Sequence, residues 1–416
     1  MSNAEVFIAS DNICSPLGST TAENFSALAK GISGIRLHDD PVLSAQPFYA
    51  ALFGKEALFM KAGTPGTNER ISGVKGTIPR TYTKFEQLLI ASISTALQDS
   101  GIGAGDKKTV LILSSTKGNI SLLETAASDE QAHPGELQTT PAGSRPGVAS
   151  EPVMQDRIAL HTSASLIAEY FGFRNPPIVA SNACISGIMA ILTGFRLIRS
   201  GQYENAVIAG ADVISNFVLS GFQSFQAISS RPCRPFDKSR DGITLGEGAA
   251  TVVLSSNSKF AGGIKIMGGS TSNDANHLSA PSRTGEELSY SIKTALGQAG
   301  LSATDIDFIS AHGTATLYND EMEAKAITLA NLQSVPVNSL KGYYGHTLGA
   351  AGLIESIIAA HSLKANRVLP TIGFEQLGVS QPLNICSTLL STPLKNCLKT
   401  ASGFGGCNAA LVLSKP

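Results

Sequence analysis

A cysteine that follows an apolar strand and precedes an apolar helix stands where a protein nucleophile commonly stands, and Cys184 has both neighbours. Pro177-Ile178-Val179-Ala180 leads into it, and Ile188-Met189-Ala190-Ile191-Leu192 leads away. A helix N-terminus offers positive partial charge and free N–H donors, which lower a thiol pKa and favour thiolate. The alternative is a small buried hydrophobe, the commonest fate of a free cysteine, so other residues must decide. A nucleophilic cysteine usually needs an imidazole nearby. Two histidines lie in small-residue settings, Ala311-His312-Gly313-Thr314-Ala315-Thr316 and Gly345-His346-Thr347-Leu348-Gly349-Ala350. Both follow strand-like stretches, and α/β folds build their sites at strand C-terminal ends. Either histidine alone reads more readily as structural; with Cys184 the weight moves to catalysis. Metal ligation is the weaker rival, because the three residues show no short ligand spacing and no carboxylate pattern accompanies them.

The elements that must position these residues alternate between short apolar runs and longer helical patterns, which indicates α/β layering. Strands are expected at 110–113, 178–180, 206–210, 250–254, 264–266, 306–310 and 409–413. Helices are expected at 85–98, 166–171, 188–198, 286–299, 319–331 and 352–364. Gly/Pro-rich stretches at 62–79 and 133–152 read as surface excursions. A chain of 416 residues suits two or three average domains, or one large fold of two similar halves. The polar break Ser255-Ser256-Asn257-Ser258-Lys259 puts the boundary of such halves at 1–256 and 257–416.

Composition narrows the class. Hydrophobic residues make up 43% and charged residues 15%, enough for an extensive core. The net charge of −1 carries no nucleic-acid or membrane footprint. The N-terminus lacks a charged segment followed by a long apolar core, and no apolar run is long enough to span a bilayer. The six cysteines are scattered without a CxxC pair, which fits free thiols in a reducing cytoplasm.

Five motifs in order make the resemblance specific. They are Asn182-Ala183-Cys184; Arg234-Pro235-Phe236-Asp237 through Asp241-Gly242, with Gly246-Glu247-Gly248; His312-Gly313-Thr314 followed by Asn319-Asp320; Lys341-Gly342 with Gly345-His346-Thr347; and Gly403-Phe404-Gly405-Gly406. Across essentially its whole length the chain resembles a β-ketoacyl-acyl-carrier-protein synthase of the elongating type. The resemblance implies a thiolase-like α/β fold: two similar halves, each with a mixed five-stranded sheet, layered α-β-α-β-α. It implies decarboxylative Claisen condensation of an acyl chain on Cys184 with a malonyl unit on a carrier protein, in fatty-acid, polyketide or polyene biosynthesis. His312 and His346 would then hold the malonyl thioester carbonyl, and the Cys184 and Phe404 N–H groups would form the oxyanion hole. Lys341 would support the second histidine and pair with Glu355. Asp320 and Glu247 would stand behind the site, with Arg240, Asp241 and Glu247 in one buried ion-pair network. Thr314, Thr316 and Ser279 would hold the phosphopantetheine arm, which arrives on the substrate, so no metal or cofactor is expected. Arg80, Lys84 and Arg234 are candidates for a patch that meets an acidic acyl carrier protein. Lys117 falls where an apolar residue would gate the acyl pocket, and hints at a polar, short or polyunsaturated chain. Cys407 stands where threonine is frequent.

Assembly as a homodimer is implied, with the strand at 206–209 or its neighbours as contact, or as a heterodimer with a related synthase subunit. Two other identities share the fold. A degradative thiolase would use a second cysteine as base, which the two-histidine arrangement argues against. A partner subunit such as a chain-length factor would lack the nucleophile that Cys184 supplies.

Overall fold

Runs of Val, Ile, Leu and Ala too short for helices, and apolar on both faces, form strands covered on both sides. The computed structural model describes residues 4–54, 82–124, 154–275 and 281–416. Both expected surface excursions lie outside the described residues. The large sheet contains β1 (Phe7–Cys14), β2 (Thr109–Ser114), β3 (Ile178–Ala180), β4 (Asn205–Asp212), β5 (Gly248–Ser255), β6 (Lys265–Asn273), β7 (Phe308–Ser310), β8 (Pro336–Asn338), β9 (Asn384–Ile385), β10 (Asn396–Gly403) and β11 (Cys407–Ser414). Their spatial order is β9-β8-β7-β10-β11-β6-β1-β5-β4-β2-β3.

That order contains the same motif twice. In the first half β3, β2 and β4 run parallel, and β5 and then β1 are antiparallel additions. In the second half β8, β7 and β10 run parallel, followed by antiparallel β11 and β6, with short β9 at the outer edge. The halves meet where β1 pairs with β6 through Phe7 and Lys265. The expected five-stranded arrangement is thus present in each half, with β9 as a sixth strand in the second, and the halves join edge to edge as one sheet of eleven strands.

Nine helices among the described residues complete the layers: α1 (Thr21–Ala29), α2 (Lys84–Ser100), α3 (Leu160–Phe171), α4 (Ser186–Arg199), α5 (Asn216–Ser224), α6 (Glu286–Ala299), α7 (Leu317–Leu329), α8 (Lys341–Tyr344) and α9 (Ala351–Ala365). Helices α2 and α3 share one apolar cluster with the outer face of the first half, and α6 and α7 share another with the second half. Between the two halves lie α4 and α9, in a core cluster with residues from both. Most of their side chains are buried and apolar, with Arg196, Arg199 and Lys364 toward their C-terminal ends. They cross where both lack side chains. A Cβ on Gly187 would stand 2.5 Å from the Leu353 nitrogen, and one on Gly352 would stand 2.9 Å from Ile188 Cγ1.

The strand at 206–209 cannot be a subunit edge. It belongs to β4, fully buried with β2 on one side and β5 on the other. Among the described residues the open edge of that half is β3, two strands away, which pairs only with β2.

Candidate active site

Cys184 sits on a tight elbow between β3 and α4. Ala183 takes φ 43°, a left-handed conformation that costs a non-glycine residue roughly 1–2 kcal/mol. Ser186 holds the turn shut, accepting from the Asn182 N–H at 2.8 Å and donating to the Ala183 carbonyl at 2.6 Å. The helix begins two residues beyond the sulphur, with Ile185 as its N-cap. Helix start and thiol are therefore adjacent, as expected, but the expected thiolate is not the resting form. Burial outweighs the helix, and the Cys184 thiol is pushed up to about 12.

His346 reaches the sulphur, its Nε2 lying 3.1 Å from Cys184 Sγ. Its other ring nitrogen, Nδ1, accepts the Leu348 N–H at 3.2 Å. An accepting Nδ1 carries a lone pair, so the ring proton of the neutral imidazole is on Nε2, facing the sulphur. Backbone bonds on both sides fix the residue: the His346 N–H donates to Thr244 at 2.7 Å, and its carbonyl accepts from Gly246 at 3.1 Å. His312 follows β7 and packs edge-on against His346, with ring centroids 5.2 Å apart. Ligating atoms of Cys184, His312 and His346 all lie within 4.8 Å of one another. Burial, with nearby Lys341 and Lys399, holds both imidazoles well below the usual histidine range. Two neutral imidazoles therefore converge on one sulphur, and His346 presents its N–H to it. The same ammonium groups oppose a divalent cation among the three.

Behind the histidines lies a closed set of charges. Lys341, at the start of α8, donates to the His312 carbonyl at 3.1 Å, approaches His312 Nδ1 at 3.5 Å and forms a short ion pair with Glu355 on α9. The expected Lys341–Glu355 pair is present, but Lys341 touches His312, the first histidine. Glu323 on α7 accepts the N–H groups of His312 and Gly313, both at 2.8 Å, and the Thr400 hydroxyl at 2.6 Å. Asp320, one turn earlier, accepts from Phe236, Thr314 and Ala315 N–H groups and faces Arg240 at 3.9 Å.

Cys184 and both histidines open into a cavity of about 350 Å³, lined also by Thr314, Thr316 and Phe404. The two threonine hydroxyls lie 3.0 Å apart. Phe404, 43% exposed, stacks on Phe222 and meets Phe225 edge-on at the mouth. A Cβ on Gly403 would stand 2.9 Å from the Cys184 nitrogen, so the peptide leading to Phe404 runs beside the elbow. The Cys407 thiol donates to the Phe404 carbonyl at 3.3 Å and holds that loop.

Other expectations change. Lys117 does not line this cavity; its N–H donates to Asp212 and its ammonium lies 6.0 Å from the Phe217 ring centre. Lys84 and Arg234 are not free cations. Lys84 pairs with Glu247 at 2.7 Å; Arg234 pairs with Glu375 at 2.7 Å and Asp237 at 3.6 Å. Arg240, Asp241 and Glu247 form no common network. Arg240 faces Asp320, Asp241 faces Arg231, and Glu247 holds Lys84 with the Phe53 and Ile214 N–H groups. Arg80 and Ser279 lie outside the described residues.

Three buried groups near the site escaped the sequence analysis: Glu323, Lys399 and Asp212. Asp212 ends β4 and accepts from Ser115, Lys117 and Gly349, joining the turn after β2 to the loop of His346. Lys399 left a signal in the sequence, a single cation inside the apolar run Cys397-Leu398-Lys399-Thr400-Ala401.

Fold and site together define an acyltransferase of thiolase fold, with a cysteine and two histidines facing one cavity. The chain belongs to the β-ketoacyl synthase family, whose N-terminal domain matches residues 3–259 and whose C-terminal domain matches residues 264–375. It is 29% identical to 3-oxoacyl-[acyl-carrier-protein] synthase 2 of Vibrio cholerae over the full length of both chains. It is 30% identical to a putative polyketide β-ketoacyl synthase 1 of Streptomyces cyaneus, covering 80% of this chain and 82% of that one. Among solved structures, the ishigamide ketosynthase/chain length factor superposes with a TM-score of 0.85 at 25% identity, covering 99% of both chains. The family resemblance carried by the five motifs is therefore borne out.

Proposed function

We propose that this chain extends an acyl chain by decarboxylative condensation, with Cys184 as the acyl carrier and His312 and His346 as the enolate site. One observation carries the assignment: two neutral imidazoles converge with the thiol, the sulphur 3.1 Å from an Nε2 that bears a proton. In the first half-reaction the sulphur attacks the thioester carbonyl, and the carrier leaves as a free thiol with the proton that Cys184 gives up. The His346 Nε2–H and the start of α4 stabilise negative charge on the sulphur as it forms. In the second, C–C cleavage releases CO2 from a malonyl thioester and leaves an enolate, which the two imidazole donors hold at its oxygen. The enolate carbon attacks the Cys184 thioester, and the tetrahedral intermediate collapses to β-ketoacyl product and the Cys184 thiolate, which regains its proton from solvent. The N–H groups of Cys184 and Phe404 receive the oxyanion in both transfers.

Neutral histidines suit this chemistry, because hydrogen bonds stabilise an enolate without protonating it prematurely. Thr314 and Thr316 provide hydroxyls for a pantetheine arm, which brings the cofactor chemistry with the substrate. An acyl carrier protein is the donor, and a second synthase-type subunit meets the β3 edge. Cys184 and both histidines favour the active-subunit reading over a chain-length-factor role.

Replacing His312 or His346 with Ala should leave acyl loading of Cys184 measurable and reduce CO2 release from malonyl carrier protein about 10²- to 10³-fold. Normal CO2 release in both variants would remove the histidines from this role.

A further inference from the structure

Lys399 occupies an interior strand position in β10 and has no exposed surface. Its ammonium donates to the Thr400 carbonyl at 2.7 Å, the Ser310 carbonyl at 3.2 Å and the Ala311 carbonyl at 3.3 Å. Glu355 Oε2 lies 2.7 Å away. Three carbonyls match the three N–H donors of an ammonium. A neutral amine would leave one carbonyl unmatched and turn a lone pair toward a carboxylate. Burial, with Lys341, lowers the Lys399 pKa from the usual lysine value against Glu355 and Glu323, and the oxygen cage favours the charged form.

The position of this cage matters more than its charge. Ser310 and Ala311 are the two residues immediately before His312, and Thr400 lies on the strand that leads to Phe404. Glu355 offers one oxygen to Lys399 and the other to Lys341, which touches His312. We propose that Lys399 is a positioning residue for decarboxylation: a tethered ammonium that fixes the backbone before His312 and holds Glu355 so that Lys341 stays against that histidine. Lys399 does not line the cavity, and burial, the larger influence on His346, remains when it is replaced, so acyl loading should change little.

The proposal rests on the condensing reading of the site, and the test separates the two. In Lys399→Ala, acyl loading of Cys184 should stay near the wild-type rate while CO2 release from malonyl carrier protein falls about 10²-fold, the scale of a misplaced reacting geometry. Ammonium or propylammonium should restore CO2 release at least about tenfold by refilling the cage, whereas tetramethylammonium, which has the charge but no N–H, should not. Thermal stability of the same variant should rise with the first two ions only. That readout decides the cage even if the wild type proves to release no CO2, a result that would strike the condensing reading instead. If Lys399→Ala does not fold, Lys399→Met, which fills the stem's volume without charge, carries the kinetic test. Wild-type CO2 release by either variant, or a loss in Lys399→Ala that neither ammonium ion repairs, would overturn the proposal.

Discussion

At the scale of single residues, the chemistry turns on a thiol that is protonated at rest. Cys184 lies beside a helix start, which favours thiolate, and inside a buried site, which favours thiol; burial prevails because a desolvated charge costs more than a helix end returns. Below its pKa the thiolate fraction rises tenfold per pH unit. With the pKa near 12, iodoacetamide alkylation of Cys184 should still be accelerating at pH 10. A plateau near neutrality would show a preformed thiolate instead. Both histidines sit well below the usual range, so decarboxylation should persist at pH values where an ordinary imidazole is already charged. The nucleophile and both histidines were legible in the sequence because glycines and small residues surround them at strand ends. The pKa of Cys184 was not legible, since it depends on enclosure by β10 and the loop of His346, which lie more than 160 residues away along the chain. Glu323 and Lys399 were missed for a similar reason: a carboxylate on a helix and a lysine on a strand look solvated until tertiary packing buries them.

At the scale of elements, two glycines set the spacing on which the site depends. Helix α4 follows Cys184 and α9 follows His346, so the distance between sulphur and imidazole is fixed by how closely these helices cross. Gly187 and Gly352 permit that approach. A Cβ on Gly187 would collide with the Leu353 backbone at 2.5 Å, which no rotamer can relieve. Gly187→Ala should therefore cost about 1–3 kcal/mol of stability and reduce acylation more than its small volume suggests. Thermal denaturation with a parallel acylation assay would measure both; a stable, fully active variant would contradict this account of the crossing. The helices themselves were readable from their apolar runs, and 286–299 was placed to the residue. Strands β1 and β10 were not foreseen, because polar residues such as Asp11, Asn12, Lys399 and Thr400 interrupt their apolar pattern. Those side chains are buried by partners that only the tertiary fold supplies: Asp11 meets His361, and Lys399 meets Glu355.

At the scale of the whole molecule, the repeated arrangement of three parallel and two antiparallel strands places Cys184 at the end of one half and His312 at the end of the other. The two halves face each other across α4 and α9, so the cavity exists only when both are folded. No helix among the described residues is long and apolar enough to cross a membrane. Among the described residues β3 is the open edge of the first half, beside the Cys184 elbow, which makes it the surface to test for subunit contact. Val179→Pro, which disrupts the β3 edge, should weaken any self-association through it as measured by sedimentation; an unchanged assembly would place the contact elsewhere. The expectation at 206–209 failed because continuous hydrophobicity marks a strand covered on both faces without distinguishing the sheet centre from its edge.

The central claim is that Cys184 carries the growing acyl chain. Intact-protein mass spectrometry after incubation with acyl carrier proteins of varied chain length tests it most directly, with Cys184→Ala alongside the wild type. The account expects an added acyl mass on the wild type and none on the variant. An adduct that survives in Cys184→Ala, or no adduct from any donor, would contradict it, and the latter would favour the partner-subunit reading.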